Sequence, residues 1–223
     1  MPADATPDRL PVTERTRIKR LAKRAVFDRA TVFAVLDAGF ACHVGYVIDG
    51  QPYVTPTAYV RMGERVYWHG SSASRMLRQL AEGVPVCFTV SLFDGLVFAR
   101  SGFNSSINYR SVMAFGQAEL VEDEDERLAM LEAFTERLTP GRWAELRPPT
   151  RQELKATKIL SLELTEVACK IRNGPPGDGE EEADYPIWAG VVPVRLATGA
   201  PQDDPHLRPG LTPPAYLADI VLG

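Results

Sequence analysis

Cysteine is scarce and scattered: the 223 residues hold three, Cys42, Cys87 and Cys169, none in a CxxC pair. A disulfide scaffold and a zinc ribbon are excluded, and the apolar company of all three reads as reduced, mostly buried thiols in a cytoplasmic protein. No apolar run approaches the ~20 residues of a membrane helix. The start, Met1-Pro2-Ala3-Asp4, has no signal-peptide pattern. Positive charge is not in excess: 25 Lys and Arg against 29 Asp and Glu give a net charge of −4, which argues against a dedicated nucleic-acid binder. GxGxxG, GxxxxGK[ST] and the β-α-β-α alternation of a dinucleotide fold are all missing, so a nucleotide-type cofactor needs some other phosphate site. Cys42, His43 and His69 are not spaced as a zinc site, no Ser/His/Asp triad emerges, and no metal is expected.

What is present reads as a single domain with a core of ordinary size, 45% hydrophobic and 24% charged. Residues 1–12 form an expected flexible arm. Residues 13–24 hold six basic residues and one acidic, read as a solvated segment that meets a partner subunit or an anionic ligand rather than nucleic acid. Asp28–Asp37 has helical spacing, with Asp28 as cap, Val32, Val35 and Leu36 on one face and Gly39 as stop. Phe40–Ile48, Pro52–Arg61 and Arg65–His69 form an antiparallel meander turned at Asp49-Gly50 and Met62-Gly63-Glu64. Ala73–Ala81 is a short helix. Val84–Leu92 and Leu96–Phe103 are expected as two strands joined at Asp94-Gly95, followed by a strand over Asn108–Glu119. Asp123–Leu138 is an amphipathic helix carrying Leu128, Leu131, Phe134 and Leu138, and Lys158–Ala168 is strand-like. The whole predicts a mainly β fold, a six- to seven-stranded antiparallel barrel with helical additions. The 18 prolines concentrate in 173–186 and 193–214, and residues 196–223 are expected as an extension packed on the barrel or on a partner.

Three places could carry chemistry. In Tyr67-Trp68-His69-Gly70-Ser71-Ser72-Ala73-Ser74-Arg75 a strand runs through a small-residue loop into a helix, which aims backbone amides, hydroxyls and one guanidinium at an anion. An ordinary serine-capped helix explains the same residues. His69 sits at the lip of this loop, where it serves either a phosphate or a structural hydrogen bond. His43 and Cys42 lie within a strand and are expected to pack. The segment Ser101–Val112 crowds amides and hydroxyls around Arg110, which suits a polar ring system as well as a long hairpin connection.

Taken in order, Asp49-Gly50-Gln51-Pro52-Tyr53-Val54-Thr55-Pro56-Thr57, Tyr67–Arg75 and Asn108-Tyr109-Arg110-Ser111-Val112…Phe115-Gly116 resemble the pyridoxamine 5′-phosphate oxidase-like split barrels that bind FMN, in their nitroimidazole-resistance-type branch. Lys170–Pro176 and Pro186–Pro193 resemble the later part of that branch. The resemblance implies a homodimer with FMN in the inter-subunit cleft of a domain spanning 13–195. It implies further that Val54, Thr55, Pro56 and Thr57 line the flavin ring, while His69, Gly70, Ser71, Ser74 and Arg75 hold the phosphate. Arg110 and Ser111 match positions that contact flavin or phosphate, in some members from the partner chain, and Trp188 closes over the ring. Met76 stands where many members have lysine, and the Arg-x-His signature of true pyridoxamine phosphate oxidases is missing, so vitamin B6 synthesis is not implied. The activity implied is that of an oxidoreductase acting on a small organic molecule, with Tyr109 and Trp188 near the substrate and no residue singled out as acid or base. A non-catalytic flavin binder is the alternative; a haem-binding relative ranks behind both because no ligating histidine stands out.

Overall fold

The structure, a computed structural model, describes residues 8–220. In chain order its elements are β1 (Ala25–Val26), α1 (Arg29–Ala38), β2 (Ala41–Ile48), β3 (Gln51–Met62), β4 (Arg65–Ser71), α2 (Arg75–Ala81), β5 (Pro85–Phe98), β6 (Ser106–Gln117), β7 (Glu119–Leu120), α3 (Glu124–Leu138), α4 (Arg151–Ala156), β8 (Thr157–Glu163), β9 (Glu166–Arg172) and β10 (Gly190–Pro193). The ten strands pair antiparallel in the order β1-β9-β6-β5-β2-β3-β4-β8-β7, with β10 beside β5. This is a split β-barrel with helical additions. Seven strands are long; β1, β7 and β10 run only two to four residues, too short for alternation to reveal them.

Local chemistry sets most boundaries. Asp28 caps α1 by accepting from the Thr31 amide at 2.7 Å, and Asp123 caps α3 by accepting from Glu126 at 2.8 Å. The β2–β3 hairpin closes through Asp49 and Gly50 with φ of 51° and 77°, the left-handed pair that a two-residue turn requires. Gly39 ends α1 for a different reason than expected. Its φ is −88°, and a Cβ there would lie 2.7 Å from the Tyr59 hydroxyl, so close approach rather than left-handed backbone demands glycine. That hydroxyl donates to the Leu36 carbonyl at 2.5 Å, fastening α1 to the sheet.

Two strand expectations are corrected. Val84–Leu92 and Leu96–Phe103 do not turn at Asp94-Gly95; they run on as β5, with a register shift between Phe93 and Gly95. β6 and β10 flank that point on either side, so the Asp-Gly pair is absorbed as a bulge in a strand held at both edges. Conversely, Lys158–Ala168 is a hairpin, divided between β8 and β9.

Alternation along the strands fills the barrel with Cys42, Val44, Trp68, Phe88, Val90, Val112 and Ala114. Burial raises the Cys42 thiol to about 12 and the Cys169 thiol to about 11, which keeps both protonated. His43, expected to pack, is exposed: with Cys42 inward, the period of two turns it out. β4 buries both faces. Val66 and Trp68 join the barrel, whereas Tyr67 enters a second cluster with Val60, Val121, Met130 and Ile159.

Of the expected arm 1–12, residues 1–7 lie outside the described residues. Arg9 bridges to Asp28, and Leu10 is buried and donates its amide to the Phe27 carbonyl at 2.8 Å. At the other end the Val194 amide donates to Asp94, and the Tyr216 hydroxyl donates to Glu145 at 2.6 Å. Among the described residues no helix is long and apolar enough to cross a membrane.

Candidate functional site

β3 and β4 pair from Met62↔Arg65 as far as Tyr59↔Trp68 and then part. Over Gln51–Ala58 β3 is held by β2 instead, while β4, paired with β8 along its whole length, keeps that partner, with Gly70 opposite Lys158 and Ser71 opposite Thr157. The barrel therefore splits where the expected flavin-lining strand faces the expected phosphate loop. Tyr46 and Tyr53 stack in the split, centroids 5.5 Å apart and 15° from coplanar. The Thr55 and Tyr46 hydroxyls meet at 3.0 Å. From the start of α2, the Arg75 guanidinium crosses to the Tyr53 ring, 5.3 Å from its centroid. Thr55 and Thr57 share this inner face, while alternation puts Val54 and Pro56 on the outer one, where Val54 is 66% exposed.

The loop between β4 and α2 satisfies much of its own hydrogen bonding. Ser74 caps α2 by accepting from the Leu77 amide at 3.4 Å. The Ser72 amide donates to the Ala156 carbonyl at 2.7 Å, the Ser74 amide to Ser71, and the Ala73 amide to the Ser71 hydroxyl. Its exposed cation is Arg75, half engaged with Tyr53.

His69 does not belong to this group. Its side chain lines a separate cavity of about 470 Å³ beneath α3 and α4, walled by Leu131, Phe134, Trp143, Leu146 and Leu154. The Phe134 ring meets it edge-on at 4.9 Å. Nδ1 is buried and has no hydrogen-bond partner in the protein, and burial lowers the pKa below the ordinary histidine value. Burial thus favours the neutral imidazole, and its Nδ1 is left without a partner beside a largely apolar wall. At the mouth, Arg147 pairs with Glu153, which holds the Glu153 carboxyl down at about 2. Leu131 and Phe134, on the expected apolar face of α3, are half-buried and wall this cavity; Met130 is the α3 residue that is fully buried. Nothing in the sequence pattern singled out Trp143 or Leu146, which follow Pro140-Gly141 in a stretch without periodicity.

Arg110, Ser111 and Trp188 lie elsewhere. β6 and β3 are separated by β5 and β2, three strand spacings or about 14 Å. Arg110 makes a forked ion pair with Asp94, 2.7 Å at its shortest, beside a cavity of about 650 Å³ that the chain over 193–196 helps to line. The Ser111 hydroxyl donates to the Lys170 carbonyl at 3.4 Å. Trp188 is 65% exposed, its ring 6.0 Å from Phe98. Among the described residues no three of His, Cys, Asp and Glu gather as a metal site.

A family model described as pyridoxamine 5′-phosphate oxidase matches residues 28–171. The chain is 45% identical to the flavocytochrome Anf3 from Azotobacter vinelandii, over 95% of this chain and 98% of that one, with a TM-score of 0.89. It is 38% identical to an FAD- and haem-binding protein from Mycobacterium smegmatis, over 89% and 97% of the two chains, with a TM-score of 0.84. A structure ascribed to 5-nitroimidazole antibiotic resistance in Bacteroides thetaiotaomicron shares the fold at 21% identity, over 66% and 86%, with a TM-score of 0.55. No curated protein matches the chain.

Proposed function

Because the chain belongs to the pyridoxamine 5′-phosphate oxidase family, we propose that it is an oxidoreductase holding both a flavin and a haem. The observation that carries this reading is His69, a neutral imidazole with an orphaned ring nitrogen in an apolar cavity apart from the phosphate loop. Similarity to a flavocytochrome and to an FAD- and haem-binding protein supports it. A flavin exchanges one or two electrons and a haem iron one, so the pair joins hydride chemistry to single-electron chemistry.

The chain's own residues would divide the work. His69 would ligate the haem iron, its burial favouring the unprotonated ring. Leu131, Phe134, Trp143, Leu146 and Leu154 would exclude water from the haem, and Arg147, paired with Glu153 at the cavity mouth, would be the cation nearest a carboxylate of the group. In the split, Thr55 and Thr57 would hold the flavin ring, with Gly70, Ser71, Ser74 and Arg75 binding its phosphate. We read the flavin as FAD, the cofactor of the Mycobacterium smegmatis relative, in place of the FMN that the sequence resemblance implies. A homodimer would complete the site, a second copy supplying Arg110, Ser111 and Trp188, which within one protomer make their contacts with Asp94, Lys170 and Phe98 rather than with Arg75.

Substituting His69→Ala tests the division. Haem content, measured as the pyridine haemochrome, is expected to collapse while extracted flavin stays at the wild-type ratio. Equal haem in both proteins would place the ligand elsewhere.

A further inference from the structure

The basic segment 13–24 is not absorbed by that reading. It docks along β9: Arg15 pairs with Glu166, and the Lys170 ammonium donates to the Arg20 carbonyl at 3.3 Å. At its end Lys23 and Arg24, in the turn Ala22–Arg24, overhang a cleft of about 320 Å³ whose far wall is Arg172 and the Gly/Pro chain after it.

Arg172 is 8% exposed, and every acceptor it has is neutral. Nη1 donates to Asn108 and, at 3.2 Å, to the Gly174 carbonyl; Nη2 donates to the Pro175 carbonyl at 3.1 Å. Among the described residues no carboxylate lies within ion-pair reach of Lys23, Arg24 or Arg172. The nearby acids are used elsewhere, Asp178 on Arg100 and Glu182 on Asn104. A buried guanidinium without a counter-charge is costly, and Arg24 adds like-charge repulsion to the burial that already depresses the Arg172 pKa. Gly174 and Gly177 also line the cleft, and a Cβ on either would touch nothing within 4 Å. Packing does not require glycine there. Bare backbone beside three cations suits the close approach of an anion.

We propose that this cleft binds the pyrophosphate of a dinucleotide through Lys23, Arg24 and Arg172. Two sources share that chemistry: FAD held in the split of a second copy, whose pyrophosphate would lie between that copy's Arg75 and this cleft, and a free dinucleotide that serves as electron donor. The first source rests on the flavin reading above, and the second does not.

The test is calorimetric titration of the purified protein with inorganic pyrophosphate at low and high salt. Wild type is expected to bind, more weakly as salt rises, and Lys23→Ala/Arg24→Ala to bind at least tenfold more weakly. Arg24→Gln, a single change at a half-buried position, guards against loss of fold. Equal binding by wild type and both variants, or none by any, overturns the proposal. If FAD-loaded protein refuses pyrophosphate and FMN-loaded protein accepts it, the cleft holds the cofactor's own phosphates. If both accept it, the occupant is a free dinucleotide. A protein that lacks flavin bands yet binds pyrophosphate would remove the flavin reading and leave this one standing.

Discussion

His69 illustrates how one strand position can be assigned to the wrong side of a wall. Its neighbours Trp68 and Gly70 point the other way, so a residue adjacent in sequence to the phosphate loop opens into a cavity under α3. Because burial lowers its pKa, protonation favours the unfolded chain, in which the ordinary value near 6.5 returns. The stability this neutral imidazole contributes is intact above about pH 6.5 and is lost as the pH falls from there through the depressed folded value. Haem-free protein should melt at progressively lower temperature over that window, and His69→Gln should flatten the dependence. An unchanged slope in the variant would mean that His69 does not set it. The sequence shows that a histidine follows two aromatics at a strand end, but not which face it takes. Phase along β4 is fixed by Trp68 entering the barrel, a fact of packing and not of pattern. His43 is the mirror case, since the inward Cys42 turns it out to solvent.

At the scale of elements, helix starts and tight turns were legible because their causes are local. Asp28 and Asp49-Gly50 act within three or four residues of themselves and perform their expected roles, and Asp123, expected as the first residue of its helix, is the cap one residue before it. Asp94-Gly95 carries the same turn chemistry and fails, because strands on both sides hold β5 straight and leave the pair only a bulge. The Lys158–Ala168 hairpin was missed for the opposite reason: its corner, Leu164-Thr165 between Glu163 and Glu166, carries no glycine, proline, asparagine or aspartate to mark a turn. The split between β3 and β4 is also non-local: β3 exchanges β2 for β4 between Ala58 and Tyr59, while β4 stays on β8 throughout. Arg75 is the one exposed cation of the loop beside that split. Replacing it by Ala should weaken flavin retention by about 1.5–3 kcal/mol, the range for a charge-assisted hydrogen bond. The measurement is flavin release followed by fluorescence, and release no faster than wild type would remove Arg75 from the phosphate site.

For the molecule as a whole, part of the exposed apolar surface is gathered in one place. Leu96 pairs with Val192 and Phe98 with Gly190, and Trp188 lies against Phe98, making a continuous strip along β5 and β10. A strip of this kind marks an interaction surface more often than bare solvent contact, and a second copy of the chain is its proposed occupant. Sedimentation should therefore show a dimer, and Leu96→Glu/Phe98→Glu should yield monomers with less bound flavin. A wild-type monomer that is nonetheless saturated with flavin would contradict the shared site. The proposal that one small barrel holds two redox groups in separate places predicts a specific absorption spectrum for the purified protein, oxidised and then reduced with dithionite. The prediction is a Soret band together with flavin bands, the flavin bleaching and the Soret band shifting on reduction. Flavin bands alone, with no Soret band even after haem is added, would contradict it.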